Sequence, residues 1–377
     1  MSMEVIQLDH YLRGSSEDQQ RIVAQVMKSL QSVGFLQLSV PLSLLSPPSS
    51  SSNPLHTLFQ HAEEFFHGAT ETKELARSVD RAKRGYSNYL DENFASLSGV
   101  KAANDAVEKL RIGPPNASFE KLLEGLEGKA LKEARKHYCN NAWTSCISPA
   151  LRADLESVYS AMDGIARVLL DVLDRGLGGS SLLQRSVSDS PTSIMTVNFY
   201  PALDGEEKGR ERRDASREEV RMAAHTDVSM LTLLFLPSNS FGLQILPHHS
   251  NQNKNKNTGE LADGWIDVLA LCSSNNAEEE EDENLLLIVN VGDCLQHWTH
   301  GVLTSTPHRV VAASSDWEER LSLAFFLSPR YDTLLSDLTG AKEEGEDELN
   351  KEVLTYSRWR ELRIKEAMSH LNRPIGS

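Results

Sequence analysis

The chain has 377 residues, with 38 basic and 54 acidic side chains and a formal charge of −16. A chain this acidic is a poor fit for neutralising a phosphate backbone or an anionic membrane, so neither nucleic acid nor a membrane is expected as a partner. Four cysteines (Cys139, Cys146, Cys272, Cys294) without a CxxC pair read as reduced thiols, and no apolar run approaches membrane-spanning length, so a cytoplasmic protein with no obligate protein partner is expected.

In chain order, Val5 to Leu8 reads as a short strand. Ser16 with Gln19 then forms a capping box ahead of Ile22, Val23, Val26, Met27, Leu30 and Val33, which predicts an amphipathic helix stopped by Gly34. Phe35 to Val40 follows as a strand, residues 46–54 (S-P-P-S-S-S-S-N-P) as a loop, and Leu55 to Ala76 as helix, while Arg81 to Leu90 is turn-rich around Gly85. Leu151, Leu155, Val158, Met162, Ile165, Leu169 and Val172 recur at steps of four and three residues, predicting a long helix up to Gly176 that would back a sheet. Strands are then expected at Ser193–Tyr200, Ala223–Leu236, Gly242–Leu246, Trp265–Leu269, Leu285–Val291, Val302–Val311 and Leu321–Leu327. Polar stretches at 205–219, 248–259, 277–284 and 340–348 are assigned to solvent, with the acidic run Glu278 to Glu283 as an insertion, and Val353 to Met368 reads as a closing helix. The fold class is mainly β with helices (α+β): a sandwich or barrel with helical decoration. The expected division is a mainly helical region at 1–185, a β domain at 186–335, and an acidic loop and helix at 336–377.

Side chains two apart on a strand share a face, which singles out three pairs: His225 with Asp227, Asn198 with Tyr200, and Arg320 with Ser322. Polar pairs aimed into a barrel would cost about 1–3 kcal/mol per group unless something binds them. Two histidines and one carboxylate on one side of a metal form the facial triad of non-haem iron(II) oxygenases, and His225, Asp227 and the distant His308 could supply it. Of twelve histidines only His225 is followed two residues later by Asp. His61 and Glu63 have a similar spacing but sit in a helical stretch, where residues two apart do not face each other.

From Ser193 to Pro329 the chain resembles the isopenicillin N synthase-like branch of the 2-oxoglutarate/iron(II) dioxygenases. The likeness rests on N-F-Y-P at 198–201, H-T-D-V-S-M-L-T at 225–232, F-G-L-Q-I at 241–245, G-W-I-D-V at 264–268, V-N-V-G-D-C-L-Q-H-W-T-H-G at 289–301, S-T-P-H-R-V at 305–310 and R-L-S at 320–322. It implies a double-stranded β-helix, a distorted jelly roll, and a cofactor set of Fe(II), 2-oxoglutarate as co-substrate and O2. It also implies iron ligation by His225, Asp227 and His308, and a 2-oxoglutarate anchor made by Arg320, Ser322, Tyr200 and Asn198. Arginine suits that anchor because it is always charged and forks onto a carboxylate. A small molecule would be oxidised by hydroxylation, desaturation or cyclisation, with release of succinate and carbon dioxide. Arg84, Tyr86, Tyr89 and Phe326 are candidate substrate contacts. A same-fold iron oxidase that dispenses with 2-oxoglutarate, and a non-catalytic binding or sensing protein, stay open as alternatives, and the substrate itself is not legible.

Overall fold

The computed structural model describes residues 3–45, 53–78, 84–115, 119–188, 192–202, 220–237, 242–247, 264–268, 284–312, 319–335 and 354–371. The loops expected at 205–219, 248–259, 340–348, nearly all of 46–54 and all but the last residue of 277–284 lie outside these residues, as do Cys272 and the acidic run.

Strand β1 (Val5–Gln7) pairs in parallel with β2 (Phe35–Pro41) across the helix Ser16–Ser32. The capping box sits one residue earlier than the sequence suggests. Ser15 Oγ accepts from the Asp18 amide at 3.2 Å while the Ser15 amide donates to Asp18 Oδ2 at 3.0 Å, because a short aspartate closes the box as well as glutamine would. Gly34 ends this helix with φ +75°, a left-handed conformation that glycine adopts without penalty. The expected helix over 55–76 breaks in two at Gly68: Pro54–Phe66 is followed by the short turn Thr70–Lys73. The long helix is Pro149–Gly176, capped by Ser148, whose hydroxyl accepts from the Leu151 amide at 3.1 Å.

The remaining strands are β3 (Gly85–Ser87), β4 (Glu108–Ile112), β5 (Ile194–Tyr200), β6 (Val220–His225), β7 (Leu231–Phe235), β8 (Leu243–Ile245), β9 (Ile266–Asp267), β10 (Asn284–Val291), β11 (His308–Val311) and β12 (Arg320–Leu327). Among the described residues they form a sheet in the order β1-β2-β10-β7-β12-β5-β4-β3 and a smaller sheet in the order β6-β11-β8-β9, the two layers of a jelly roll. The larger sheet has two chemically distinct faces. Met195, Val197 and Phe199 of β5, with Leu321, Leu323, Phe325 and Leu327 of β12, bury themselves in the main core with Leu155, Met162, Leu169 and their neighbours on the helix Pro149–Gly176. Tyr159 of that helix meets Phe325 edge-on with ring centroids 5.1 Å apart. The alternate residues, Thr196, Asn198, Tyr200, Arg320, Ser322, Ala324 and Phe326, face the smaller sheet.

Two expected strands need correction. Ala223–Leu236 is not one strand: β6 ends at His225 in the small sheet and β7 begins at Leu231 in the large one, with the chain crossing between layers in five residues. Val302–Val311 contributes only β11, because Thr299 to Leu303 is a turn held by Thr299 Oγ1. The turn-rich stretch at 81–90 contains β3, and β4 and the helices Gly128–His137 and Asp293–Trp298 lack a sequence counterpart above. None of the described helices is long and apolar enough to cross a membrane.

Candidate active site

His225 and His308 face each other because β6 and β11 pair antiparallel with these two residues in register, which brings their ring centroids to 4.5 Å. Asp227 joins them from the crossing between the layers, not from a strand; the shared strand face expected for His225 and Asp227 does not exist. Its Oδ1 lies 4.0 Å from His225 Nε2 and 3.8 Å from His308 Nε2, and the three ligand atoms fall within 4.8 Å of one another.

The surroundings leave one donor atom of each residue facing the common point. His225 Nδ1 lies 2.8 Å from the Ala223 carbonyl and His308 Nδ1 3.2 Å from the Thr306 carbonyl; a proton on each Nδ1 leaves Nε2 as a lone pair. Asp227 Oδ2 accepts from Thr232 Oγ1 at 2.6 Å and from Asn290 Nδ2 at 2.8 Å, so Oδ1 is the oxygen left over. Burial, and then the neighbouring His308 ring, push the His225 imidazolium down to about 4. Burial opposes ionisation of Asp227, yet the two imidazoles and the Asn290 and Thr232 hydrogen bonds hold its carboxyl below the usual range. With their Nε2 lone pairs free, two imidazoles and a carboxylate form a donor set suited to a divalent iron ion.

A second cluster lies beside it on the large sheet. Arg320 is opposite Tyr200 and Ser322 opposite Asn198 across β12 and β5, Asn198 Nδ2 donates to Ser322 Oγ at 3.2 Å, and the Arg320 guanidinium sits 4.6 Å from the Tyr200 ring centroid. Both clusters line one inner pocket of about 70 Å³. An outer chamber of about 570 Å³, within the size range of small-molecule sites, adjoins it and is roofed by the helix Tyr356–Leu371.

Family models account for most of the chain. Residues 191–329 match the 2OG-Fe(II) oxygenase superfamily and residues 3–145 match the non-haem dioxygenase in morphine synthesis N-terminal family. The chain belongs to the 2-oxoglutarate/iron(II) oxygenases. It is 25% identical to proline hydroxylase buaE of Petromyces alliaceus, over 96% of this chain and 99% of that protein. Among solved structures, a full-length Neurospora crassa protein crystallised in complex with alpha-KG superposes with a TM-score of 0.66 at 20% identity, covering 96% of both chains. A 2OG-Fe(II) oxygenase family protein from Caulobacter crescentus gives a TM-score of 0.66 at 23% identity, over 97% of this chain and 99% of that one.

Not every candidate residue of the oxygenase reaches its cavities. Phe326 lines both, and Arg84, buried with its guanidinium 5.4 Å from the Phe119 ring centroid, lines the outer chamber. Tyr86 points the other way: it is opposite Leu110 in β4, packs edge-on against Phe65 at 5.8 Å in the main core, and its hydroxyl bonds Glu108. Tyr89 lines neither cavity. The His61–Glu63 spacing resolves as structural, since His61 Nδ1 lies 2.6 Å from Asp154 Oδ2 and ties two helices together.

Sequence reasoning missed the groups that hold Asp227 in place. Thr232 and Asn290 stand opposite each other on β7 and β10 in the sheet's site-facing rows. Asn290 lies in the V-N-V-G-D-C motif, where a polar residue between two valines was the available signal. The same motif supplies Gly292, Asp293 and Cys294, whose amides donate to the Met230, Asp227 and Ser229 carbonyls at 2.8, 2.7 and 3.2 Å and so pin the crossing that carries Asp227. Asp293 Oδ1 accepts from Ser305 Oγ at 2.8 Å, and Asp293 Oδ2 faces Arg363 Nη2 of the last helix at 2.8 Å.

Proposed function

We propose that His225, Asp227 and His308 hold the iron(II) ion of this oxygenase through His225 Nε2, Asp227 Oδ1 and His308 Nε2. Arg320, Ser322, Tyr200 and Asn198 anchor the distal carboxylate of 2-oxoglutarate, and a small-molecule substrate occupies the outer chamber. The observation that carries this reading is the donor set itself: three buried ligand atoms within 4.8 Å, each with its second polar atom already committed elsewhere. Bound iron and 2-oxoglutarate supply the oxidising chemistry, in which dioxygen is consumed, 2-oxoglutarate is split to succinate and carbon dioxide, and the substrate is oxidised.

The protein's own residues bind and orient. Arg320 offers a planar fork of donors matched to a carboxylate, Ser322 adds a hydroxyl, and Asn198 fixes that hydroxyl by donating to it. Burial, opposed by Arg320, raises the Tyr200 hydroxyl, which therefore stays protonated and remains a donor. Arg84 and Phe326 belong to the substrate wall, and Tyr86 and Tyr89 are not assigned to it.

The anchor is tested with Arg320→Gln. The expected result is a 2-oxoglutarate affinity weaker by roughly 10- to 100-fold, the worth of a charged hydrogen-bond pair, with iron(II) affinity retained. Unchanged 2-oxoglutarate affinity in this variant would contradict the assignment.

A further inference from the structure

The inner pocket and the outer chamber share five lining residues, Phe94, Arg111, Thr196, Asp227 and Phe326, which form a neck between metal centre and chamber. Thr196 is 2% exposed, and its hydroxyl has no hydrogen-bond partner among the described residues. A buried hydroxyl without a partner costs about 1–3 kcal/mol, a cost that a bound guest removes.

What stands behind Thr196 defines the guest. Across β5 and β4, Arg111 is opposite Thr196 and Lys109 opposite Asn198, so both cations share the site-facing side. Arg111 Nη1 donates to Glu92 Oε1 at 2.9 Å and to Ser87 Oγ at 3.0 Å, and Arg111 Nη2 to Glu92 Oε2 at 2.5 Å. Lys109 Nζ lies 3.2 Å from Glu92 Oε2, 3.7 Å from Asp105 Oδ2 and 3.8 Å from the Phe94 ring centroid. Guanidinium and ammonium groups donate and never accept, the Glu92 carboxylate is committed to both of them, and a hydroxyl can donate, so an acceptor oxygen is the group that Thr196 and the cations behind it can bind together. The charges already cancel: Lys109 and Arg111 balance Glu92 and Asp105, leaving a net charge of 2 − 2 = 0. An anionic guest at the neck would therefore find no uncompensated cation among these four groups, which makes it more costly there than a neutral acceptor. Phe94 and Phe326 give the neck an apolar side.

We propose that Thr196, backed by Arg111 and Lys109, forms an acceptor-binding subsite beside the metal centre, and that the primary substrate is an uncharged molecule presenting a carbonyl oxygen there and an apolar edge to Phe94 and Phe326. The proposal rests on the metal assignment above, because Asp227 borders the same neck.

The test uses three probes of similar size, phenylacetamide, phenylacetate and ethylbenzene, titrated calorimetrically into anaerobic enzyme loaded with iron(II) and 2-oxoglutarate. Wild type is expected to bind phenylacetamide about tenfold or more tighter than either other probe. Thr196→Val, nearly isosteric, should lose that preference while Thr196→Ser keeps it. Tightest binding of phenylacetate or ethylbenzene, no binding of phenylacetamide, or an unchanged preference in Thr196→Val overturns the subsite. The visible band of the iron–2-oxoglutarate chelate is recorded in each titration: a band without amide preference overturns the subsite alone, whereas its absence in wild type overturns the metal reading.

Discussion

Asp227 divides its labour between two oxygens. Oδ2 accepts from Thr232 and Asn290, and Oδ1 faces the two imidazoles. Removing either donor should loosen the carboxylate without removing a ligand atom. Asn290→Ala and Thr232→Val are therefore expected to weaken iron(II) binding by roughly 10- to 100-fold, read by anaerobic metal titration. Affinities equal to wild type would mean that the ligand is fixed by its backbone alone. Lys109 offers a different residue-scale measurement. Burial, and then the Arg111 charge, press its ammonium down to about 8 from an ordinary 10.5, so above pH 8 the unfolded chain binds more protons than the folded one. The wild type should gain stability over Lys109→Met as pH rises from about 8, by about 1–2 kcal/mol near pH 9.5. Denaturant midpoints at pH 7.5 and 9.5 give the comparison, and a gap that narrows would reverse the sign.

At the scale of elements, the crossing between β6 and β7 and the segment around Asp293 act as one unit. Gly292 lies so close to it that an added Cβ would fall 2.1 Å from the Ser229 carbonyl oxygen. Gly292→Ala must push that turn away, and a loss of about 1–3 kcal/mol of stability together with weaker metal binding is expected. Stability and metal affinity both at wild-type values would contradict the close approach. Arg363 Nε bonds Asp293 Oδ2 at 3.0 Å and Arg363 Nη1 the Leu97 carbonyl at 2.9 Å, tying the last helix to the segment that pins the Asp227 turn and to the chamber wall. Arg363→Leu leaves a mostly buried Asp293 with fewer partners, and thermal unfolding should fall by several degrees. The helix Pro149–Gly176 was legible because its apolar steps repeat along most of its 28 residues, and β5 and β12 because apolar and polar residues alternate along them. The β6–β7 division was not, since both halves are rich in strand-forming residues and only the tertiary layering separates them. β4 is not legible because its charged residues Glu108, Lys109 and Arg111 find their partners, Tyr86, Glu92 and Lys73, only in the folded chain.

For the whole molecule, the large sheet is the organising element: one face is closed by helices, and the other collects polar side chains from strands far apart in sequence. The residues proposed as metal and co-substrate ligands could be read in the sequence because each lies in a short strand-terminal motif with its own spacing. The neck around Thr196, Arg111 and Lys109 could not, because it exists only once β4 is laid beside β5. The turn-rich stretch at 81–90 is marked by its glycine, but the pairing of Gly85–Ser87 with β4, which turns Tyr86 into the core, is not legible there for the same reason. The central claim is that this sheet face gathers iron(II) and 2-oxoglutarate at one centre. The most direct measurement is the visible spectrum of anaerobic protein as iron(II) and then 2-oxoglutarate are added. The account predicts a weak charge-transfer band that needs both additions and disappears in His308→Ala. A wild-type protein that takes up iron(II) and 2-oxoglutarate without that band, or a His308→Ala variant that keeps it, would contradict the account.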